Sequence, residues 1–191
     1  MELYFATGNP HKLAEANSVL SEFGILLKPA PSPKVEIQSE SLEEIARYAA
    51  EDAYRSLGSP LVVEDSGLFI ESLNGFPGPY SSYVYKTIGC GGILRLLEGH
   101  CNRRARFECV VVYAGDGVLR SFVGIAKGSI AGALRGSGGF GFDPIFISEE
   151  LYGKTFSELS PSEKSAVSHR GKAFRALGEW LSLRGGDHTL K

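Results

Sequence analysis

The chain has little of what would tie it to an oxidising, oily or strongly charged environment. Its 191 residues contain three cysteines, Cys90, Cys101 and Cys109, with one tryptophan and one methionine. An odd count without CxxC spacing argues against a disulfide framework, so free thiols in a reducing compartment are expected, and four scattered histidines, none at ligand spacing from a cysteine, argue against a zinc site. No apolar run approaches the ~20 residues needed to cross a bilayer. Met1 to Ala6 has neither a basic segment nor a long apolar stretch, so no signal peptide is expected and a cytoplasmic protein is the default. Net charge is only −2, which speaks against a nucleic-acid polymer or an anionic membrane as partner. A small phosphorylated ligand stays open, because a few clustered cations are enough to meet one.

What is present reads as a globular α/β chain: 43% of residues are hydrophobic and 22% charged. The length suits a single domain of two lobes over residues 1–191. Leu3 to Ala6 reads as a buried strand that ends at Thr7-Gly8-Asn9-Pro10, and a helical pattern runs from His11 with Leu13, Ala16, Leu20 and Phe23 on one face and Gly24 as its stop. Pro29, Pro31 and Pro33 predict a stiff connector. Ser41-Leu42-Glu43-Glu44 is a capping box for a second helix. Leu61-Val62-Val63 reads as a buried strand that stops at Glu64-Asp65-Ser66-Gly67. Tyr80 to Glu98 predicts two helical pieces broken near Gly89, and Arg106 to Tyr113 with Val118 to Lys127 predicts a hairpin, so the sheet is mixed. A short strand is expected at Ile145 to Ile147, a helix capped by Ser160-Pro161-Ser162-Glu163, a last helix over about Gly171 to Leu183, and a loose tail from Arg184.

Four segments carry candidate chemistry. Thr7, Gly8, Asn9, Pro10, His11 and Lys12 form a strand–turn–helix start, which either offers backbone N–H groups and a cation to phosphate or is a plain turn capped by Asn9. Glu64 and Asp65 are adjacent acids after an apolar strand; one such carboxylate can ligate Mg²⁺ while the other activates water. Glu36 is a further candidate ligand, or a solvated acid. Gly136 to Gly141 matches GxGxxG, but Phe142-Asp143-Pro144 blocks the helix that a dinucleotide fingerprint needs. The same loop sets Phe140 and Phe142 beside Asp143, where a flat base can stack or where the rings simply cap a core. Lys164, His169 and Arg170 offer donors to phosphate or carbonyl oxygen, or form a solvated basic turn.

Taken in order, FATGNPHK (5–12), the acidic stretch at Glu36, VEDSGL (63–68) with NGFPGPYS (74–81), GFGFDPIF (139–146) and EKSAVSHRGKAF (163–174) resemble the inosine triphosphate pyrophosphatase family over nearly the whole chain. The resemblance implies an elongated mixed β-sheet flanked by helices, two lobes with a central substrate cleft, and a homodimer. It implies that Thr7 to Lys12 hold a triphosphate, that Glu36 and Glu64 with Asp65 hold Mg²⁺, and that Asp65 is the general base. Phe140, Gly141, Phe142 and Asp143 would hold base and ribose, Lys164 a phosphate, and His169 and Arg170 the base edge; Ser66 counts with the substrate-binding residues. Two basic residues of relatives have no counterpart here, where Tyr48-Ala49-Ala50-Glu51 and Ser81-Ser82 stand. The expected activity is hydrolysis of ITP, dITP or XTP to monophosphate and pyrophosphate. A Maf-like pyrophosphatase, a binding module without turnover and a dinucleotide-dependent oxidoreductase are the alternatives.

Overall fold

The computed structural model describes residues 1–31, 35–151 and 153–186. Pro33, part of the expected connector, and residues 187–191 of the expected tail lie outside them. The described residues form seven strands and six α-helices in one sheet. In chain order these are β1 (Glu2–Phe5), α1 (Pro10–Leu20), β2 (Leu26–Pro29), α2 (Leu42–Leu57), β3 (Leu61–Ile70), β4 (Pro77–Gly78), α3 (Ser81–Thr87), α4 (Gly89–Leu96), β5 (Arg104–Gly115), β6 (Val118–Ile130), β7 (Phe146–Ser148), α5 (Pro161–Val167) and α6 (His169–Gly186). The strand order is β2-β1-β3-β5-β6-β7, with β4 pairing β3. β1 runs parallel to β2 and β3, and every other pairing is antiparallel, so the sheet is mixed as expected.

Local chemistry sets most boundaries. Asn9 accepts from the His11 and Lys12 amides at the start of α1, and Pro10 takes the first helical position. Ser41 caps α2 by accepting from the Glu44 amide; the return half of the box differs, because the Glu44 carboxylate takes the Ser39 hydroxyl at 2.6 Å instead. The β5–β6 turn puts Asp116 at φ 53° and Gly117 at φ 72°, the left-handed pair that a two-residue hairpin requires. Ser160 and Glu163 complete a reciprocal capping box on α5.

Two expectations are corrected. β3 does not stop at Glu64; it runs on to Ile70, because β5 pairs with it residue for residue from Leu61↔Ala114 to Ile70↔Ala105. Gly67 continues the strand rather than turning it: a Cβ there would lie 2.3 Å from the Gly78 carbonyl oxygen, so glycine lets β4 pack against β3. The last helix begins at His169 and reaches Gly186, so Arg184 is helical and not tail.

Alternation along β3, β5 and β6 divides the core. On one face Val62, Cys109, Val111, Tyr113 and Phe122 meet α1 and α6. Further along that face Leu68, Ile70, Phe107, Ala126 and Ile130 meet α3, α4 and the 142–156 segment. On the opposite face Leu61, Val63, Val110 and Val112 meet α2. α6 lies very close to β6 at Gly124, where a Cβ would sit 2.0 Å from the His169 carbonyl oxygen and 2.6 Å from the Ala173 nitrogen. Gly124→Ala should therefore displace the start of α6 and cost about 1–3 kcal/mol. Gly132→Ala, at a position with nothing within 4 Å of an added Cβ, should stay within about 0.5 kcal/mol of wild type. Urea unfolding of both variants checks the contrast.

Candidate functional site

The inward row of β3 reads Val62, Glu64, Ser66, Leu68, Ile70, and its two polar members fall between the two cores of that face. Glu64 is 1% exposed. Asp65, on the α2 side of the sheet by alternation, is buried as well. β1 pairs with β3 only at Leu61 and Val62, and β4 only at Leu68 and Phe69. Residues 63–67 thus have no strand neighbour on that side among the described residues, and Glu64 and Asp65 lie on that stretch with their side chains on opposite faces.

Around Glu64 the side chains alternate in charge without a break. Lys12 Nζ lies 2.8 Å from Glu64 Oε2. Arg170 donates from Nη2 to Glu64 Oε1 at 3.0 Å and to Ser66 Oγ at 3.1 Å, and from Nη1 to Glu15 Oε2 at 2.7 Å. Lys164 Nζ joins Glu15 Oε1 at 2.5 Å to Asp143 Oδ2 at 2.6 Å. The order is Lys12, Glu64, Arg170, Glu15, Lys164, Asp143, three cations and three anions from α1, β3, α6, α5 and the 139–143 loop. Burial alone would raise the Glu64 carboxyl, but Arg170 and then Lys12 overrule it and hold it well below the usual range. Glu15 is lowered too, against its burial, by Arg170 and Lys164. Asp143 behaves otherwise: burial outweighs Lys164 and raises it. Cys109, fully buried, donates its thiol to Glu64 Oε1 at 3.3 Å, and burial followed by the charge of Glu64 pushes the thiol well up.

Two helix junctions place the cations. Ser168 alone separates α5 from α6, and its hydroxyl accepts from the Gly171 amide at 3.0 Å. A Cβ at Gly171 would lie 1.9 Å from the Ser165 carbonyl oxygen, so glycine permits the tight corner that brings Lys164 and Arg170 together. In the facing loop, Asp143 accepts from the Phe140 amide at 2.7 Å, and Gly139, at φ +71°, leaves room for its carboxylate. The Phe140 ring stacks on His11 with centroids 5.3 Å apart at 18°. Lys164 Nζ and Arg170 Cζ lie 4.8 and 5.2 Å from its centre.

The structure thus brings Lys12, Glu64, Ser66, Phe140, Asp143, Lys164 and Arg170 to one place. The Thr7–Lys12 turn departs from a bare phosphate cradle: the His11 and Lys12 amides are taken by Asn9, and the Asn9 amide by the Thr7 hydroxyl at 3.2 Å. Gly8 is exposed in the same turn and Pro10 starts the helix. Gly141 carries its chain at φ +63° and accepts from the Cys90 thiol, while Phe142 is buried in the second core. Glu36 is exposed on the irregular segment 35–40. The 136–141 glycine loop leads to a short 3-10 turn and then β7, not to an α-helix, which removes the support for a dinucleotide fingerprint. The basic turn is not solvated, since His169 and Arg170 are 3% and 2% exposed. His169 stacks on Phe107 at 4.6 Å and is held neutral by burial first and by Arg170 and Lys164 next. Ser81 bridges the Gly78 carbonyl and the Leu68 amide. Among the described residues no three His, Cys, Asp or Glu side chains gather as a ready ligand shell. Sequence reasoning missed Glu15 and Cys109. Glu15 falls three residues after Lys12 on the same helix face, a spacing that was available as a signal.

Fold and site together define an α/β protein with a buried, charge-balanced network at the middle of a mixed sheet. A family model described as the Ham1 family matches residues 3–180, and the chain belongs to that family. It is 51% identical over 183 residues to a dITP/XTP pyrophosphatase of Hyperthermus butylicus, covering 96% of each chain. It is 52% identical over 181 residues to one of Methanopyrus kandleri, covering 94% of this chain and 96% of the relative. The solved HAM1 protein of Coxiella burnetii superposes with a TM-score of 0.85 at 33% identity, covering 95% of this chain and 98% of that one.

The charge alternation gives a pH-dependent expectation. Because the folded Glu64 carboxyl is depressed, its pairing stabilises the fold above the ordinary carboxylate range and loses force as pH falls. Arg170→Ala removes the larger counter-charge, so it should cost about 3–5 kcal/mol at pH 7. The cost should shrink near pH 4, where a buried Glu64 left with Lys12 as its cation takes up a proton. Denaturant unfolding at both pH values measures the difference; an equal loss at both would contradict the role given to Glu64.

Proposed function

We propose that the chain hydrolyses non-standard purine nucleoside triphosphates (ITP, dITP and XTP) to the monophosphate and pyrophosphate, clearing deaminated purines from the nucleotide pool. The observation that carries this reading is the convergence of Lys12 and Arg170 on Glu64, with Lys164 joined to Arg170 through Glu15 and Asp65 next to Glu64 in the strand. It stands on a chain whose curated relatives are pyrophosphatases for dITP and XTP. A Maf-like substrate range and binding without turnover find no comparable support.

In this reading Lys12, the Thr7 hydroxyl and the exposed Gly8 turn receive the phosphates. A triphosphate competes with Glu64 for Lys12, so ligand charge replaces an internal partner rather than meeting a bare cation. Asp65 orients and deprotonates a water for in-line attack on the α-phosphorus, and pyrophosphate departs toward Lys12. Glu36, Glu64 and Asp65 would hold the metal through oxygen alone, the donor chemistry of a hard cation that takes one or two carboxylates plus substrate oxygens. A magnesium ion held there would supply neutralisation of the phosphate charge. A cytoplasmic homodimer is part of the same proposal.

Base selection follows from two buried atoms. Arg170 Nε and His169 Nδ1 have no hydrogen-bond partner among the described residues. The guanidinium is a donor only, so a six-keto oxygen completes it, whereas the amino group of adenine leaves it unpaired. Mismatches of that kind discriminate by about 10⁴ or more.

Pyrophosphate release from ITP, XTP, dITP, ATP and UTP, with magnesium and with chelator, tests the reading: magnesium-dependent release from the first three with ATP spared is expected. Release of single phosphate, or no turnover, would refute it. Asp65→Asn should retain ITP binding and lose turnover by about 10²–10⁴, and near-normal turnover would remove Asp65 from the base role.

A further inference from the structure

The ring expected to carry the base is already occupied. His11 and Phe140 are in stacking contact at 5.3 Å and 18°, and a purine cannot enter between rings so placed. Two further groups that serve the ligand, Lys164 and Arg170, lie within 4.8 and 5.2 Å of the same ring centre. The contact crosses from the first turn of α1 to the 139–143 loop, and the backbone is anchored on both sides. The His11 amide is held by Asn9 Oδ1 at 2.9 Å, and the Phe140 amide by Asp143 Oδ2 at 2.7 Å. The His11 residue is exposed, so its imidazole has room to swing away by rotation about χ1 while the chain stays in place.

We propose that His11 is a positioning residue that stands in for the base: its imidazole keeps Phe140 covered and the 139–143 loop docked on α1 until a nucleobase takes its place. The inference rests on the reading that Phe140 stacks the purine. Base binding then exchanges one stack for another instead of adding one. Every base faces the same competitor, so His11 lowers the affinity for all nucleotides by a common factor and leaves their ranking to Arg170 and His169. Helix α1 thereby serves both ends of the ligand, with Lys12 at the phosphates and His11 on the seat of the base.

The test is His11→Ala beside His11→Phe, since an alanine at the second helical position does not endanger α1. His11→Ala should lower KM for ITP and XTP in parallel by about two- to tenfold, the range of one aromatic stack, with kcat changing less than KM and the ITP-over-ATP ratio preserved. Amide hydrogen exchange at residues 139–143 of the nucleotide-free protein should be faster in the same variant. His11→Phe keeps a stacking ring and should return KM to the wild-type value or above it. A KM that rises or does not move in His11→Ala overturns the proposal, because His11 would then either touch the substrate directly or leave Phe140 unaffected. Should the wild-type protein release no pyrophosphate from ITP, the enzymatic reading fails by itself. The ITP dissociation constants of the three proteins, from calorimetry, then decide the role of His11 by the same criterion.

Discussion

A carboxylate buried in the middle of a sheet is the constraint to which the rest of this structure answers. Removing Glu64 from water costs several kcal/mol unless charge and hydrogen bonds return it. They come from two elements distant in sequence, Lys12 on α1 and Arg170 on α6. Arg170 is itself buried and needs Glu15, which brings Lys164, which brings Asp143. Each ion requires the next, and the requirement ends only at the 139–143 loop. Docking of α1, α5, α6 and that loop is thus one electrostatic problem with one solution.

That solution sits where apolar packing pauses. On the face shared by α1, α6, α3 and α4, two hydrophobic cores lie at opposite ends of the same strands, and Glu64 and Ser66 occupy the gap. The cores supply rigidity without filling the seam. The seam in turn is lined by groups whose present partners are all internal: Asn9 on the α1 amides, Glu15 on two cations, His11 on Phe140. Such a site is kept in shape by its own side chains.

Much of this was legible in the chain and some was not, for physical reasons. Caps and turns depend on neighbours in sequence, so Asn9, Ser41, Gly24, Asp116-Gly117 and the Ser160–Glu163 box were readable directly. The mixed sheet followed from the hairpin. Glu64-Asp65 was recognisable as chemistry but misleading as structure: two acids with Ser-Gly look like a strand end, and only pairing with β5, more than forty residues away, keeps them extended. The row Val62-Glu64-Ser66-Leu68-Ile70 does carry the trace of a polar gap in an otherwise apolar face. Glu15 was missed because its partners stand 149 and 155 residues further along. His169 looked like part of a solvated turn because its burial depends on Phe107 and Phe156, which no local pattern reports.

The corner between α5 and α6 has a consequence of its own. With Ser168 as the whole connection, Lys164 and Arg170 are mounted on one bent piece of backbone. Inserting a single residue there would turn one helix relative to the other by about 100° and part the two cations. The corner is therefore a fixed gauge. The spacing between these two charges is set by the backbone of the corner and not by the surface residues around it.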